Sequence, residues 1–425
     1  MHQIRTVIIL IFLFQNLNSY SQNRIQAQEY ISDLCTDQMA GRGYINKGDS
    51  IAAEYIKEQF QEIGLSPLAD NFYHSFQLDV NTIEKCHLTL NGKSMKPGIE
   101  FAVGPSSPSS SYKGELFIIT QEMLLEKKIA KKVKKAVRKG LIPVFAPYDR
   151  KNEKVAESIK EIEECAKLEL KVFMRSPLTW TVGRTQTTNA ELWLDPELNL
   201  KDGDYIELDV QSQFIENYQS QNVAAYIPGT LYPDSFIILC GHYDHLGKMG
   251  SAIYYGANDN ASGIAMIMDM ASYFYRNPQE YSIAFVAFAG EEAGLVGSRN
   301  FVYSPPPLCK MDQVKFVFNM DLMGNGEDGA TIVNGKVFTS YYNTLVDINQ
   351  EQEYLPKIKA RGKAANSDHY FFSEKGIPSF FIYTMGAYTH YHIPQDNANN
   401  LELGPYYDQT FKLLRDFILH FNEVN

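Results

Sequence analysis

Two histidines and a series of carboxylates fall just after apolar runs, where a sheet would deliver them to one edge. Phe236 to Cys240 reads as a strand and is followed by Gly-His-Tyr-Asp-His-Leu-Gly247. His242 is thus at a strand end with Asp244 two residues on. A metal-bound imidazole usually donates its other ring N–H to a carboxylate or carbonyl, and Asp244 is placed to accept it. Gly256-Ala-Asn-Asp-Asn-Ala-Ser-Gly263 opens a helical run. There one of Asp259 and Asn260 caps the helix, as residues of their type commonly do, or Asp259 faces a site and bridges two cations.

Glu291 and Glu292 follow the apolar stretch Tyr281 to Ala289. Two adjacent carboxylates at a buried sheet edge repel each other and lose hydration. Nearby cations would remove that cost, leaving one glutamate to ligate and the other to move protons. Val317-Phe-Asn-Met-Asp321 is another strand ending in a carboxylate, and Tyr388-Thr-His-Tyr-His-Ile-Pro-Gln-Asp396 follows a strand over Ser379 to Tyr383. Together these clusters offer mixed nitrogen and oxygen ligands suited to divalent metals.

The elements that must position them alternate. Strands are expected at Val223–Ile227, Phe236–Cys240, Tyr281–Ala289, Val314–Asn319 and Ser379–Tyr383, with helices at Ala261–Tyr275 and 405–422. Near-continuous apolar strands belong to the middle of a sheet covered on both faces. The expected fold is α/β: a mixed, mostly parallel central sheet flanked by helices, with functional groups at the strands' carboxyl ends. Upstream, Asp49 or Ser50 is placed to cap a helix ending at Gly64. Between about 84 and 215 a second pattern intervenes: a strand at Glu115–Thr120, a lysine-rich helix over about 122–139, a strand at Leu141–Phe145, a helix over about 152–167 and strands near 169–174 and 204–210. This predicts an inserted smaller α/β domain between two segments of the main domain at 22–83 and 216–425.

The five motifs, in order and spacing, resemble those of the di-zinc exopeptidase family that contains bacterial leucyl aminopeptidases, glutamate carboxypeptidase and the glutaminyl cyclases (metallopeptidase family twenty-eight). The resemblance covers about 220–425, and Met39-Ala-Gly-Arg-Gly43 with Ala52–Gly64 is similar to the family's opening helix. It implies a zinc-exopeptidase, phosphorylase/hydrolase-like fold and two zinc ions, other divalent metals being compatible with the ligands. Asp259 would bridge the ions. Glu292 and His392 would complete one site, and His242 and Asp321 the other. Glu291 would be the general base and acid, Asp244 would orient His242, and Tyr391 would stabilise the oxyanion. The family often has Asp at the position of Asn258. His245 and His369 are read as structural or supporting residues. Residues 84–215 resemble the family's protease-associated domain.

The implied activity is that of an aminopeptidase acting on peptide substrates. The alternatives are a glutaminyl cyclase-like acyltransferase, which in relatives uses a single zinc, and a non-catalytic binding relative. An acidic residue near the site would favour a free amino terminus and an arginine cluster a substrate carboxylate; Arg361 is the one arginine near the late motifs.

Composition narrows the partners. Of the 425 residues 44% are hydrophobic and 21% charged, as in an ordinary globular protein. The net charge of −11 and the lack of a clustered basic face exclude nucleic-acid binding. Arg5 followed by the apolar run Val7 to Phe14 reads as a signal peptide over 1–21, too short to span a bilayer. A secreted or periplasmic protein without stable membrane insertion is expected. Five scattered cysteines do not form a disulfide framework.

Overall fold

The computed structural model describes residues 24–422, so the expected signal peptide lies outside the described residues. Four parallel strands form the centre of the main sheet. In spatial order they are Tyr281–Phe288, Tyr232–His242, Val314–Met320 and Ser379–Met385. The end of Tyr205–Ile227 flanks one side antiparallel, with Val223 opposite Ala287. Gly329–Val333 flanks the other side, also antiparallel, and Ile358–Ala360 pairs beyond it.

Period-two alternation in each central strand feeds two cores. Ile237, Leu239, Ile283 and Phe285 pack beneath the helices Arg24–Leu34, Gly48–Ile63, Ser262–Arg276 and Pro405–Leu419. Ile238, Cys240, Ala284 and Val286 point to the opposite face, against Phe301 and Phe372 of the helices Val296–Tyr303 and His369–Glu374. Both faces are therefore covered, which explains the unbroken apolar sequence of these strands.

Helix Gly48–Ile63 ends at Gly64 in the left-handed region, as its sequence predicts. Its start differs from expectation. Lys47 is the N-cap and no side chain caps the helix. Asp49 is instead buried and accepts hydrogen bonds from Tyr218 Oη and Ser220 Oγ at 2.7 and 2.8 Å.

A second sheet joins Ser110–Ile119, Ile142–Phe145, Leu170–Met174 and Ala190–Leu194 in parallel, with Phe101–Val103 antiparallel at its edge. The lysine-rich helix is shorter than expected. Lys128 turns left-handed at φ 71° and resets the chain, so that Ile129–Val137 presents Ile129, Ala130, Val133 and Ala136 to the core. Two long strands, Tyr73–Leu90 and Tyr205–Ile227, run antiparallel from one sheet to the other. The expected limits at 84 and 215 both fall inside them. All five cysteines are free. Among the described residues no helix is long and apolar enough to cross a membrane.

Candidate metal centre

Each predicted ligand leaves the carboxyl end of the main sheet or the turn that opens a helix beside it. His242 is the last residue of its strand, and Asp321 follows Met320. Glu291 and Glu292 follow Phe288 after a short turn through Gly290, whose φ is 68°. His392 comes from the loop beyond Ser379–Met385.

Asp259 lies in a single wide turn, Ala257–Ala261, ahead of helix Ser262–Arg276. The two readings of this segment divide between neighbours. Asn260 Oδ1 accepts from Gly263 N at 3.0 Å and so serves the first turn of the helix. Asp259 is left to face the histidines. The carboxylate of Asp396 accepts from Asn258 N and Asp259 N at 2.8 and 3.1 Å and holds the turn in place. Asn258 Oδ1 accepts from Gly324 N at 2.8 Å, a role its amide oxygen fills as an Asp would.

All five predicted ligands come together. His242 Nε2 lies 3.3 Å from Asp259 Oδ1 and 3.4 Å from Asp321 Oδ1. His392 Nε2 lies 3.1 Å from Asp259 Oδ2 and 3.3 Å from Glu292 Oε2. The two oxygens of Asp259 thus each face a different imidazole, and each imidazole faces one further carboxylate. Ligand atoms about 2.0 Å from a tetrahedral zinc ion are separated by ~3.3 Å, the spacing found here.

The imidazole tautomers point the same way. His242 Nδ1 donates to the main-chain carbonyl of Asp244 at 3.1 Å, and His392 Nδ1 donates to that of Trp180 at 3.0 Å. A carbonyl can only accept, so Nδ1 carries the proton in both rings and leaves Nε2 to face the carboxylates. Two nitrogen lone pairs against anionic oxygens repel unless positive charge lies between them. The ionisation equilibria respond accordingly. Burial disfavours charge on His392, yet Glu292 and Asp259 raise its pKa to about 11. His242 is likewise raised, against burial, chiefly by Asp321 and Glu291. Asp321 Oδ1 is buried without a hydrogen-bond partner. Its other oxygen accepts from Ser367 Oγ at 2.9 Å, which in turn accepts from Asn319 Nδ2 at 2.7 Å. The donor set, its spacing and this orphaned oxygen fit divalent cations.

Asp244 acts differently from its sequence reading. Its backbone carbonyl, not its carboxylate, receives the His242 N–H; Oδ1 is 3.9 Å from Nδ1. The carboxylate accepts from Glu291 N and Glu292 N at 3.1 and 3.3 Å and fixes the turn that carries both glutamates. Burial pushes its pKa up to about 8, with His242 opposing and Glu292 adding to the rise.

Glu291 lines a cavity of about 220 Å³ together with His242, Asp259, Glu292, Asp321 and His392. Burial raises its pKa well above the usual carboxylate value; His242 opposes and Glu292 reinforces this. Tyr391 lines the same cavity, half-exposed, its ring stacked on His392 at 3.9 Å and 14°. His245 is nearer the site than a purely structural residue would be. Its Nδ1 is 2.9 Å from Glu292 Oε1, and its Nε2 is buried without a partner. His369 is buried behind the cavity against Phe381, both ring nitrogens unpartnered, and burial lowers its pKa to about 3.

Sequence reasoning did not single out Trp180 or Asp396 as supports. Arg42 belongs with them. Its guanidinium is fully buried and donates to the carbonyls of Leu34, Tyr243, Tyr255 and Gly256 at 2.9, 2.6, 2.5 and 2.6 Å. It thereby ties the amino-terminal segment to the loops that bear His242 and Asp259.

Residues 222–415 match the family model described as peptidase family M28. The sequence is 28% identical over 212 residues to an aminopeptidase of Bacillus subtilis, covering 46% of this chain and 43% of that protein. It is 36% identical over 118 residues to a probable zinc metalloprotease of Pyrenophora teres, covering 26% of this chain and 24% of that one. The matched stretches therefore span less than half the length of these curated relatives. The fold is similar to that of a zinc aminopeptidase from Bacillus subtilis, with a TM-score of 0.68 over 93% of this chain and 95% of that one at 17% identity.

Proposed function

We propose that this chain, whose residues 222–415 match the model of peptidase family M28, is a metal-dependent aminopeptidase acting on peptide substrates. One observation carries the reading: the two oxygens of Asp259 face two different Nδ1–H imidazoles, each backed by a second carboxylate. On this reading Asp259 would hold both of two zinc ions, with His242 and Asp321 as the further ligands of one and Glu292 and His392 as those of the other. When bound, the ions supply an activated water at neutral pH and a positive field for the scissile carbonyl.

The chain's own residues do the remaining work. Glu291 takes the proton of the attacking water and delivers it to the leaving amine. Its pKa, raised by burial, suits a group that must hold a proton between the two steps. Asp244 keeps Glu291 and Glu292 in register by holding both backbone N–H groups. Tyr391, on the cavity wall, donates to the oxyanion, an interaction worth about 2.7–4 kcal/mol in comparable sites. His245 steadies Glu292 from the side opposite His392.

Residues about 84–215 form a protease-associated-like module inserted in the peptidase domain, a reading supported by the second sheet and by a core of its own around Ile119, Val133, Phe145 and Ile162. The apolar leader at Val7 to Phe14 supports a secreted or periplasmic location.

The test is hydrolysis of leucyl-p-nitroanilide by purified protein, with and without chelator, alongside metal content by elemental analysis. Chelator-sensitive release of p-nitroaniline with two metal equivalents per chain is expected. Turnover that survives complete metal removal would end the metallopeptidase reading, and a single equivalent at full activity would end the bridged pair.

A further inference from the structure

The cavity above the cluster has one strongly basic wall residue. Arg361 follows the edge strand Ile358–Ala360, and its backbone is fixed on both sides. Its N–H donates to Ile332 O at 2.8 Å, and its carbonyl accepts from Lys336 N at 3.0 Å. The guanidinium leans over Tyr383, with Nη1 3.2 Å from Tyr383 Oη and Cζ 5.9 Å from the ring centre. Both residues line the cavity together with Leu322, Phe381 and Asn366.

Arg361 forms no ion pair among the described residues, whereas its near neighbour Lys363 pairs with Glu374. An arginine facing a catalytic cavity with most of its donors free, and held there through its backbone and an aromatic hydroxyl, is built to receive a planar anion. Asn366 adds a neutral amide on the same wall. A cavity of about 220 Å³ has room for about one substrate residue next to the ligands.

We propose that Arg361 is a specificity-determining residue that recognises a carboxylate on the substrate within one residue of the scissile bond. That carboxylate belongs either to an acidic side chain or to the free carboxyl end of a dipeptide. The proposal rests on the peptidase reading of this site and names the substrate class it selects.

Binding without turnover tests it. Metal-loaded Glu291→Gln protein is titrated calorimetrically with two pairs of compounds that differ by one charge: glutamyl- against glutaminyl-p-nitroanilide, and leucyl-glycine against leucyl-glycinamide. The charged member of one pair is expected to bind about 10-fold or more tightly, the range of a charge-assisted hydrogen bond. Adding Arg361→Gln should abolish that difference and leave the neutral member's affinity within about 3-fold, a change of under 1 kcal/mol. The pair that responds identifies the source of the carboxylate. Equal binding within both pairs, or a preference that survives Arg361→Gln, would overturn the proposal. Failure of the peptidase reading is seen separately, as the absence of chelator-sensitive turnover by the unsubstituted protein.

Discussion

Trp180 and His392 are joined by two reciprocal hydrogen bonds. Trp180 N–H donates to the carbonyl of His392 at 3.0 Å, and His392 Nδ1 donates to the carbonyl of Trp180 at 3.0 Å. The tryptophan is held by its own contacts, stacked on Tyr254 at 5.2 Å and donating from Nε1 to Val103 O at 2.7 Å. A residue on the stretch between the two long strands therefore sets the ring orientation of a predicted ligand at the edge of the main sheet. Trp180→Ala removes the stack and the indole hydrogen bond that hold this strand of backbone. It should weaken one of two metal equivalents by about 10-fold or more, the usual cost of losing a ligand's supporting partner, and leave the other unchanged. Competition with a chromogenic chelator reads both affinities.

Asp259→Ala takes away the only carboxylate among the described residues whose oxygens face both histidines. Elemental analysis after dialysis should find both equivalents lost. Retention of two would show that the ions are held independently of Asp259.

Glu291→Gln preserves size and the backbone N–H bond to Asp244 but cannot accept a proton. Metal content and KM should be little changed, while kcat falls by about 10²–10⁴-fold, the range for general acid–base groups. Full kcat in this variant would move the base role elsewhere.

His369 predicts a dependence of stability on pH. Its folded pKa is about 3, below the ordinary 6.5, because burial disfavours the charged ring. The unfolded chain thus takes up a proton that the folded protein refuses. The stability contributed by the neutral ring is complete above pH 6.5 and is lost as the pH falls towards 3. His369→Phe, of similar shape, should gain on the unsubstituted protein by about 2 kcal/mol between pH 6.5 and 5. Paired chemical denaturation curves at the two pH values measure it, and parallel shifts of both proteins would refute it.

The central strands were legible because both of their faces are buried, which makes each a nearly unbroken apolar run. The convergence of the five candidate ligands was legible because the sheet's geometry puts strand ends together, so position after an apolar run carries spatial information. Tyr73–Leu90 was missed. Its residues alternate between buried and exposed over much of its length, and such a strand carries little apolar continuity. The His242–Asp244 spacing indicated a partnership but could not distinguish a carboxylate from a carbonyl. Trp180 lies 212 residues from His392 and acts through its backbone, which no side-chain pattern encodes. The partition between Asp259 and Asn260 depends on which residue turns towards the helix, a property of local backbone geometry.

Leu34, Tyr243, Tyr255 and Gly256 all give their carbonyls to one arginine near the start of the described chain. Proteolytic trimming past residue 42 would therefore not yield a smaller working enzyme. It would strip the donors from three carbonyls beneath the reaction chamber and open that floor to solvent. Intactness of the segment from residue 24 to Arg42 and the integrity of the loops it braces are, in this architecture, a single property.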